Sequence, residues 1–382
     1  CNRMLQFGYR VLILGDPKDE YEKLCRAYGV SPFAVGPGMS TRVNPLAKGP
    51  LGVGWEDLDD TEARRRATII FGRWLTLVRG LVGSMRIGTL HAPFGPSEAD
   101  VVYAALEHLT GYAHGATALR ETTIPELWHT LHNPDETLIA RCEYASRRAF
   151  LDDTRLLRDA LGQLVKGTLA GLFDDHTNID VDWSAPIQSL SLSRLEELGD
   201  EAVGIALLCL NSWGRGMREN ARFKTSNSTG VGGGGDLRIV VRDESWRQLR
   251  LGPEAVKSFD ADLRLSRGAG GRGGDIQFAV AHKPSDLLAA GDAGSQAATI
   301  AKDLLDLADI KILHGQKPKA ARELDSMLGL GPLARNLVTG WAMHGKGRAL
   351  WCVGERTYKV QTVLHPAEEM LTWTNDAIAS AR

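Results

Sequence analysis

The sequence has few cysteines and no apolar run long enough to cross a membrane. Five cysteines are scattered through 382 residues without C-x-x-C spacing, which argues against a disulfide framework or zinc site and favours a reducing compartment. The longest apolar stretch, which extends to Met85, is interrupted by Arg73 and Arg79. The sequence therefore predicts no transmembrane helix, and we find no signal-peptide pattern in it.

An excess of charge of one sign is also absent. The chain contains 45 Lys and Arg against 47 Asp and Glu, a formal net charge of −2. This balance offers no global attraction for nucleic acid or acidic lipid, although local basic loops are compatible with it. With 43% hydrophobic and 24% charged residues, the composition is typical of a soluble globular protein with a large core or two domains.

A complete phosphate-binding loop, G-x-x-x-x-G-K-[ST], is missing. The segment Gly340-Trp-Ala-Met-His-Gly-Lys-Gly347 has both glycines and the lysine at the correct spacing. However, Gly347 stands where a hydroxyl should reach Mg²⁺, and a strand-like run follows where a helix is required. We interpret this segment as a loop that enters a strand. The glycine-rich stretches 229–235 and 268–274 are predicted to be surface loops, with a phosphate cradle as the alternative.

Short aliphatic segments alternate with helical patterns along the chain. The predicted strands are Val11–Leu14, Ile187–Leu192, Leu237–Val241, Ile276–Ala281, Ile310–Leu313, Ala349–Val353 and Tyr358–Leu364. The predicted helices are Thr61–Met85, Glu98–Thr110, Asp135–Leu161, Ser193–Arg218, Pro253–Arg267, Gln296–Ala308 and Pro366–Ala379. This alternation predicts an α/β fold with a mostly parallel sheet covered by helices on both faces. Residues 61–161 carry almost no strand signal, which indicates a helical insertion.

The most informative segment is the predicted strand Leu237–Val241, which is followed by Asp243-Glu244. Two adjacent carboxylates at the carboxyl end of a buried strand can place one at a Mg²⁺-bound phosphate and the other beside an attacking water. Ligands bind at this edge of parallel sheets. The alternative interpretation is a solvated acidic turn. Polar residues also follow two other strands, in Gly15-Asp-Pro-Lys-Asp-Glu-Tyr21 and in His282-Lys-Pro-Ser-Asp286.

These motifs occur in an order that resembles a known family. Asn44-Pro-Leu46 and Gly171-Leu-Phe-Asp174 lie between the Gly15 segment and Asp243-Glu-Ser-Trp246, and Lys283-Pro-Ser-Asp286 follows. From about Phe7 to Thr374, the chain resembles the hexameric traffic ATPases of type IV secretion and conjugative transfer, in the version typical of actinobacterial mobile elements. The resemblance implies a RecA-like P-loop NTPase core with an inserted all-α subdomain, and ATP and Mg²⁺ as cofactors.

The resemblance also implies a division of the chain. Residues 1–60 would be the first part of the ATPase core, 61–165 the inserted helical subdomain, and 166–382 the remainder of the core. In the family, the phosphate loop lies immediately before the helix that enters the first strand seen here. This chain is therefore expected to begin just downstream of that loop.

Residue roles follow from the same resemblance. Asp243 would hold Mg²⁺ through water, and Glu244 would orient and deprotonate the attacking water. His282 stands where the family commonly has a polar γ-phosphate sensor, most often glutamine, and its alternative is a loop histidine with no nucleotide role. Arg264 and Arg267 resemble arginines that such motors insert into a neighbouring subunit's site, and their alternative is a solvated helix face.

Three residues of the first strand end, Asp16, Lys18 and Glu20, could face the nucleotide or the adjoining subunit. Their alternative role is helix capping and first-turn charge ahead of the predicted helix Tyr21–Tyr28. Arg242 departs from the family, which usually keeps an apolar residue before the acidic pair. A cation at this position suggests a salt bridge to the acidic pair that would compete with the metal.

The predicted function is an ATPase motor domain of a conjugative or type IV secretion system. The resemblance implies a homohexamer, partners in the secretion apparatus, DNA as a candidate partner, and a cytoplasmic location at the inner face of the cell membrane. Without the phosphate loop, this chain alone is expected to be weakly active or inactive. Two alternatives are a decayed, non-catalytic interaction module of the ATPase fold and a DNA-pumping hexameric translocase.

Overall fold

A computed structural model describes residues 1–88, 90–112, 118–182, 185–227, 238–266, 275–283 and 296–372. The strands, in chain order, are β1 (Arg10–Asp16), β2 (Phe33–Ala34), β3 (Arg86–Ile87), β4 (Leu90–His91), β5 (Ile187–Ser191), β6 (Arg238–Arg242), β7 (Ile276–Ala279), β8 (Ile310–His314), β9 (Arg348–Val353) and β10 (Arg356–Gln361).

The helices, in chain order, are α1 (Asn2–Gln6), α2 (Glu22–Ala27), α3 (Asp60–Ser84), α4 (Pro96–Thr110), α5 (Ile124–His132), α6 (Glu136–Arg141), α7 (Arg147–Asp153), α8 (Arg155–Lys166), α9 (Asp200–Asn227), α10 (Trp246–Leu249), α11 (Pro253–Ser266), α12 (Gln296–Leu307), α13 (Pro318–Leu328), α14 (Gly331–Thr339) and α15 (Pro366–Thr372). Short 3₁₀ turns occupy Gly49–Gly52, Trp55–Asp57 and Ser193–Leu198.

Five strands form a parallel sheet in the order β2-β5-β1-β6-β7. Alternate residues of these strands enter two different cores. Leu12, Leu14 and Val240 pack with α3 and α9, whereas Val11 and Ile239 pack on the other face with apolar residues of α1 and α2. Because both faces of the sheet are covered, residues on both sides of each strand must be apolar, which explains the continuous aliphatic runs in the sequence. The predicted α/β fold with a mostly parallel sheet is confirmed.

Between β2 and β5, the regular elements of the described residues are helices and short 3₁₀ turns joined by loops, apart from the two-residue strands β3 and β4. The apolar side chains of α4, α5 and α8 join those of α3 and α9 in one continuous core that also reaches the sheet. Arg73 of α3 lies buried in this region and donates to the carbonyl oxygen of Ala47 at 2.8 Å. The proposed division of the chain at residues 60/61 and 165/166 stays a prediction.

Several helix boundaries differ from those that periodicity predicted. The single helix expected over Asp135–Leu161 is three helices, α6, α7 and α8, because Ser146 caps a new helix with its side chain. Besides the four-residue helix α10, the helices α5, α13 and α14 were not predicted. α5, α13 and α14 each have a proline in the first turn, a start signal for a helix that hydrophobic periodicity alone does not register.

The last three strands form a sheet of their own. β8, β9 and β10 pair in antiparallel fashion in the order β10-β9-β8. One face of this sheet packs against α13 and α14 through Leu350 and Cys352 with Ala321, Ala334 and Val338. The predicted strand Tyr358–Leu364 is shifted toward the amino terminus, to Arg356–Gln361. Among the described residues, no helix combines the length and the apolar character that a membrane span requires.

Candidate functional site

Asp243 and Glu244 follow β6 at the carboxyl edge of the parallel sheet. β6 lies between β1 and β7, so the segments after those strands flank the acidic pair. The backbone N–H of Val280 donates to the carbonyl oxygen of Arg242 at 3.0 Å, and the hydroxyl of Ser245 donates to that of Val280 at 2.8 Å. These bonds fix the turn after β6 to the end of β7. The sheet edge therefore brings together three segments that are far apart in the sequence.

Glu244 is the centre of this cluster, and its side chain is only 4% exposed. Its Oε1 lies 2.5 Å from Lys18 Nζ and 2.9 Å from His282 Nε2. Its Oε2 accepts a hydrogen bond from the indole N–H of Trp246. Burial opposes the charged form, but the bonds from Lys18 and Trp246 outweigh it and lower the pKa of Glu244. The carboxylate is ionised and fully engaged.

The backbone at Glu244 is strained. Its φ of 49° lies in the left-handed region, which costs a non-glycine residue free energy and is found mainly where the surrounding structure holds it for a purpose. Here the backbone N–H of Glu244 donates to Oδ1 of Asp243 at 2.9 Å. This local bond directs the two neighbouring carboxylates to different partners.

Asp243 is the candidate metal ligand of the acidic pair. Burial raises the pKa of its carboxyl group, and the phenol of Tyr21 forms a hydrogen bond with it. The described residues contain no group of three or more His, Cys, Asp or Glu side chains placed to hold a metal. Mg²⁺ at nucleotide sites takes one or two carboxylates and completes its shell with water and phosphate oxygens. A single carboxylate such as Asp243 fits that requirement.

The segment after β1 brings Asp16, Lys18 and Glu20 to the same edge of the sheet, where their side chains make different contacts. A register shift between Ile13 and Asp16 marks a bulge at the end of β1, where Gly15 has a φ of 101°. The two carboxylate oxygens of Asp16 accept the backbone N–H groups of Glu20 and Tyr21, each at 2.9 Å. Asp16 thus shapes the turn that presents the Lys18 side chain to Glu244. Contacts of these residues with a nucleotide stay predictions.

Asp16 is expected to titrate far above an ordinary aspartate. It is 1% exposed, and burial raises its pKa to about 6. Because the folded-state pKa is raised, protonation favours the folded state, so the contribution of Asp16 to stability increases as pH falls from about 6 toward 4. A ¹³C titration of the carboxyl carbon of Asp16 would show the midpoint directly, and loss of that signal in Asp16→Asn would confirm its assignment. A midpoint for Asp16 near 4 would contradict the expectation.

Arg242 does not contact the acidic pair, so the expected salt bridge to it is wrong. Successive residues of a strand point to opposite faces of the sheet. Arg242 therefore points away from Asp243 and pairs with Asp262 at 3.5 Å, donates to Gln277 Oε1 at 3.1 Å, and lies over the ring of Phe259. The Arg242 guanidinium packs on the face of the sheet opposite Asp243, so it does not compete with a metal ion for the carboxylates of the acidic pair.

Arg264 is not part of this cluster. Arg264, at the end of α11, forms an exposed ion pair with Asp260 one helical turn earlier, at 2.8 Å. Arg267 lies outside the described residues, as do Ser285 and Asp286. The structure thus brings together six of the eight predicted residues, and the role of Arg264 and Arg267 toward a neighbouring subunit stays a prediction.

Two members of the site were not predicted from the sequence. The indole N–H of Trp246 donates a hydrogen bond to Glu244, and the guanidinium of Arg250 lies 4.5 Å from the centre of the Trp246 ring. Arg247 lies 3.7 Å from Glu244 Oε2 and pairs with Glu196 at 3.0 Å. Their positions two and three residues after Glu244, at the start of α10, are the signal that could have identified them.

The five-stranded parallel sheet with its covering helices is the fold of the RecA-like α/β domains. The chain shares this fold with VirB4 of Thermoanaerobacter pseudethanolicus, a type IV secretion ATPase, with a TM-score of 0.68 and 17% sequence identity over 96% of this chain and 85% of that one. At this identity the similarity confirms the predicted resemblance at the level of the fold. No protein-family model and no curated protein matches the sequence.

Proposed function

We propose that this chain belongs to an ATP-hydrolysing motor of a type IV secretion or conjugative transfer apparatus. The observation that carries the proposal is the position of Asp243 and Glu244 at the carboxyl edge of the sheet, between the segments that follow β1 and β7. The fold shared with VirB4 supports it. The motor would energise assembly of the apparatus or passage of a DNA or protein substrate.

In this proposal each residue at the edge has one task. Asp243 would hold Mg²⁺ through water, and the bound cation would offset charge on the phosphates of ATP. Glu244 would orient the attacking water and take its proton, because its carboxylate stays ionised. His282, which already reaches Glu244, would sense the terminal phosphate, and Arg264 and Arg267 would act on the site of a neighbouring subunit in a hexamer.

The contacts of Glu244 suggest that the described state is a resting state. Oε1 of Glu244 lies within hydrogen-bond distance of two nitrogen atoms, and Oε2 accepts one hydrogen bond, so an attacking water at Oε1 would take the place of one of these partners. The side chains of Lys18 and His282 are 43% and 49% exposed, and we assign the leaving role to Lys18 because its ammonium group can bind a phosphate. A phosphate oxygen would attract the ammonium group and free Oε1 for water. Substrate would thereby activate the base.

ATP turnover, measured with and without a phosphate-binding loop, tests the proposal. The 382-residue sequence itself contains no complete loop of this kind. We expect this chain alone to hydrolyse ATP at or near background. A version extended at its amino end with a G-x-x-x-x-G-K-[ST] segment is expected to turn over ATP. A coupled phosphate-release assay on both proteins provides the comparison. Equal turnover by the two would contradict the expectation, and absence of turnover in both would remove the motor proposal.

One observation favours a second candidate, a non-catalytic interaction module of the same fold: the carboxylate of Glu244 is occupied by Lys18, His282 and Trp246. In that case the extended version would assemble into an oligomer but show no turnover. A DNA-pumping translocase is distinguished from both by stimulation of turnover when DNA is added. The partners in the apparatus and the location at the inner face of the membrane remain part of the proposal.

A further inference from the structure

Arg247 is a buried cation whose three guanidinium nitrogens face three different carboxylates, and its side chain is only 6% exposed. Nη2 lies 3.0 Å from Oε1 of Glu196, Nη1 lies 3.5 Å from Oδ1 of Asp200, and Nε lies 3.7 Å from Oε2 of Glu244. These carboxylates offset the charge of the buried guanidinium. The proposed motor function assigns no role to this residue.

The two carboxylates other than Glu244 belong to the segment that follows β5. Glu196 lies in the 3₁₀ turn Ser193–Leu198, and Asp200 is the first residue of α9. In the parallel sheet, β5 and β6 lie on opposite sides of β1. Arg247 therefore connects the strand end that carries the acidic pair to a strand end two places away in the sheet. The sequence predicts no residue of the segment after β5 to belong to the site.

Arg247 also contacts Trp246, whose indole N–H donates to Oε2 of Glu244. The guanidinium carbon of Arg247 lies 5.3 Å from the centre of the Trp246 ring, and that of Arg250 lies 4.5 Å from it. Arg247 thus contacts both members of the pair formed by the carboxylate and the indole. Since Oε1 is the oxygen at which water would replace Lys18, Oε2 is the oxygen whose partners stay in place.

The backbone of Arg247 is fixed as well as its side chain. The backbone N–H of Arg247 donates to the carbonyl oxygen of Glu244 at 2.9 Å. A β-carbon on Gly204 of α9 would lie 2.8 Å from the carbonyl oxygen of Arg247, closer than β-carbons approach other atoms in proteins. The glycine therefore lets α10 pack directly on the backbone of α9, and the guanidinium starts from a defined position on its way to Glu196 and Asp200.

We propose that Arg247 is a positioning residue for the general base Glu244, and that Glu196 and Asp200 anchor it; the inference rests on the proposed motor function. A planar guanidinium can face three carboxylates at once, which the single ammonium group of a lysine cannot do. By fixing Oε2 and Trp246, Arg247 keeps the carboxylate aligned with the attacking water while Oε1 changes partner. A misplacement of about 1 Å at a reacting group can lower a rate roughly 100-fold.

Steady-state turnover of the form extended by a phosphate-binding segment tests the effect on hydrolysis. Arg247→Met is expected to lower kcat about 10- to 100-fold and to leave KM for ATP within about threefold of the parent value. The variant should fold, because Glu196 and Asp200 are 35% and 58% exposed and water can solvate them. Arg247→Lys keeps the charge but should recover only part of kcat, and full recovery would contradict the positioning role.

Glu196→Gln tests the anchor, and Glu197→Gln is its matched control, the same change at the next residue of the same turn, which is exposed. Glu196→Gln should lower kcat, whereas Glu197→Gln should stay within about twofold of the parent. Combined with Arg247→Met, Glu196→Gln should add little further loss, because the two residues act through one contact. A loss that adds in full would show that Glu196 does not act through Arg247.

The ¹H–¹⁵N signal of the Trp246 indole, identified by its loss in Trp246→Phe, tests the contact in the 382-residue chain without ATP. It should move upfield in Arg247→Met, because the hydrogen bond to Glu244 lengthens, and should move less in Arg250→Met, which removes only a cation beside the ring. Absence of turnover in the extended parent would remove the motor proposal together with this role. Parent-level turnover in Arg247→Met, or an unmoved indole signal, would overturn the inference alone.

Discussion

Glu244→Gln is expected to abolish ATP turnover in the form of the protein that also carries a phosphate-binding segment. Glutamine has nearly the same shape but cannot take a proton from water, and loss of a general base typically lowers kcat about 10²- to 10⁴-fold. Nucleotide binding should persist, since Asp243 and the rest of the edge are unchanged. The measurement is steady-state hydrolysis together with the binding of a fluorescent ATP analogue.

The control for this substitution is Glu22→Gln, the same chemical change on α2. Glu22 forms an exposed ion pair with Arg26 at 2.7 Å and does not reach the acidic pair. Its turnover should stay within about threefold of the parent, since it contacts none of the reacting groups. If Glu244→Gln retained turnover at the level of Glu22→Gln while binding nucleotide normally, Glu244 would not be the base. Thermal unfolding of both variants separates this result from misfolding.

Asp262→Ala is expected to destabilise the protein by about 3–5 kcal/mol, the cost of breaking a buried ion pair by removing one partner. Asp262 accepts Arg215 at 3.1 Å and lies 3.5 Å from Arg242, which is only 1% exposed. Burial already lowers the pKa of Arg242 to about 10, so loss of the carboxylate leaves this cation deeply unfavourable. Urea denaturation of the two proteins gives the difference in the free energy of unfolding.

Asp260→Ala, two residues earlier on α11, is the matched control. Asp260 pairs with the exposed Arg264, and exposed pairs contribute little, so a much smaller loss of stability is expected. The double variant Asp262→Ala/Arg242→Met should recover part of the loss, because it also removes the stranded charge. Equal destabilisation by Asp262→Ala and Asp260→Ala would show that the buried pair has no special role.

The main elements of the sheet could be predicted from the sequence because their signal is local. Val11–Leu14 and Ile239–Val241 are aliphatic runs bounded by polar residues, and a strand buried on both faces requires such a run. The position of Asp243-Glu244 at the carboxyl edge follows from the strand that precedes it. The antiparallel pairing of β8, β9 and β10 could not be predicted, since a strand pattern does not state the direction of its neighbour.

The sequence by itself determined that this is an α/β protein with an acidic pair after a buried strand and without a complete phosphate loop, because strand periodicity and motif spacing are properties of neighbouring residues. Only the tertiary structure decided how the acids are used. Lys18 is 226 positions from Glu244, and it becomes a partner because parallel strands bring their carboxyl ends together. The pleat of β6 turns Arg242 away from Asp243, and Asp262 pairs with it there. The left-handed backbone at Glu244, beyond the end of the strand, lets its carboxylate reach Lys18 and His282.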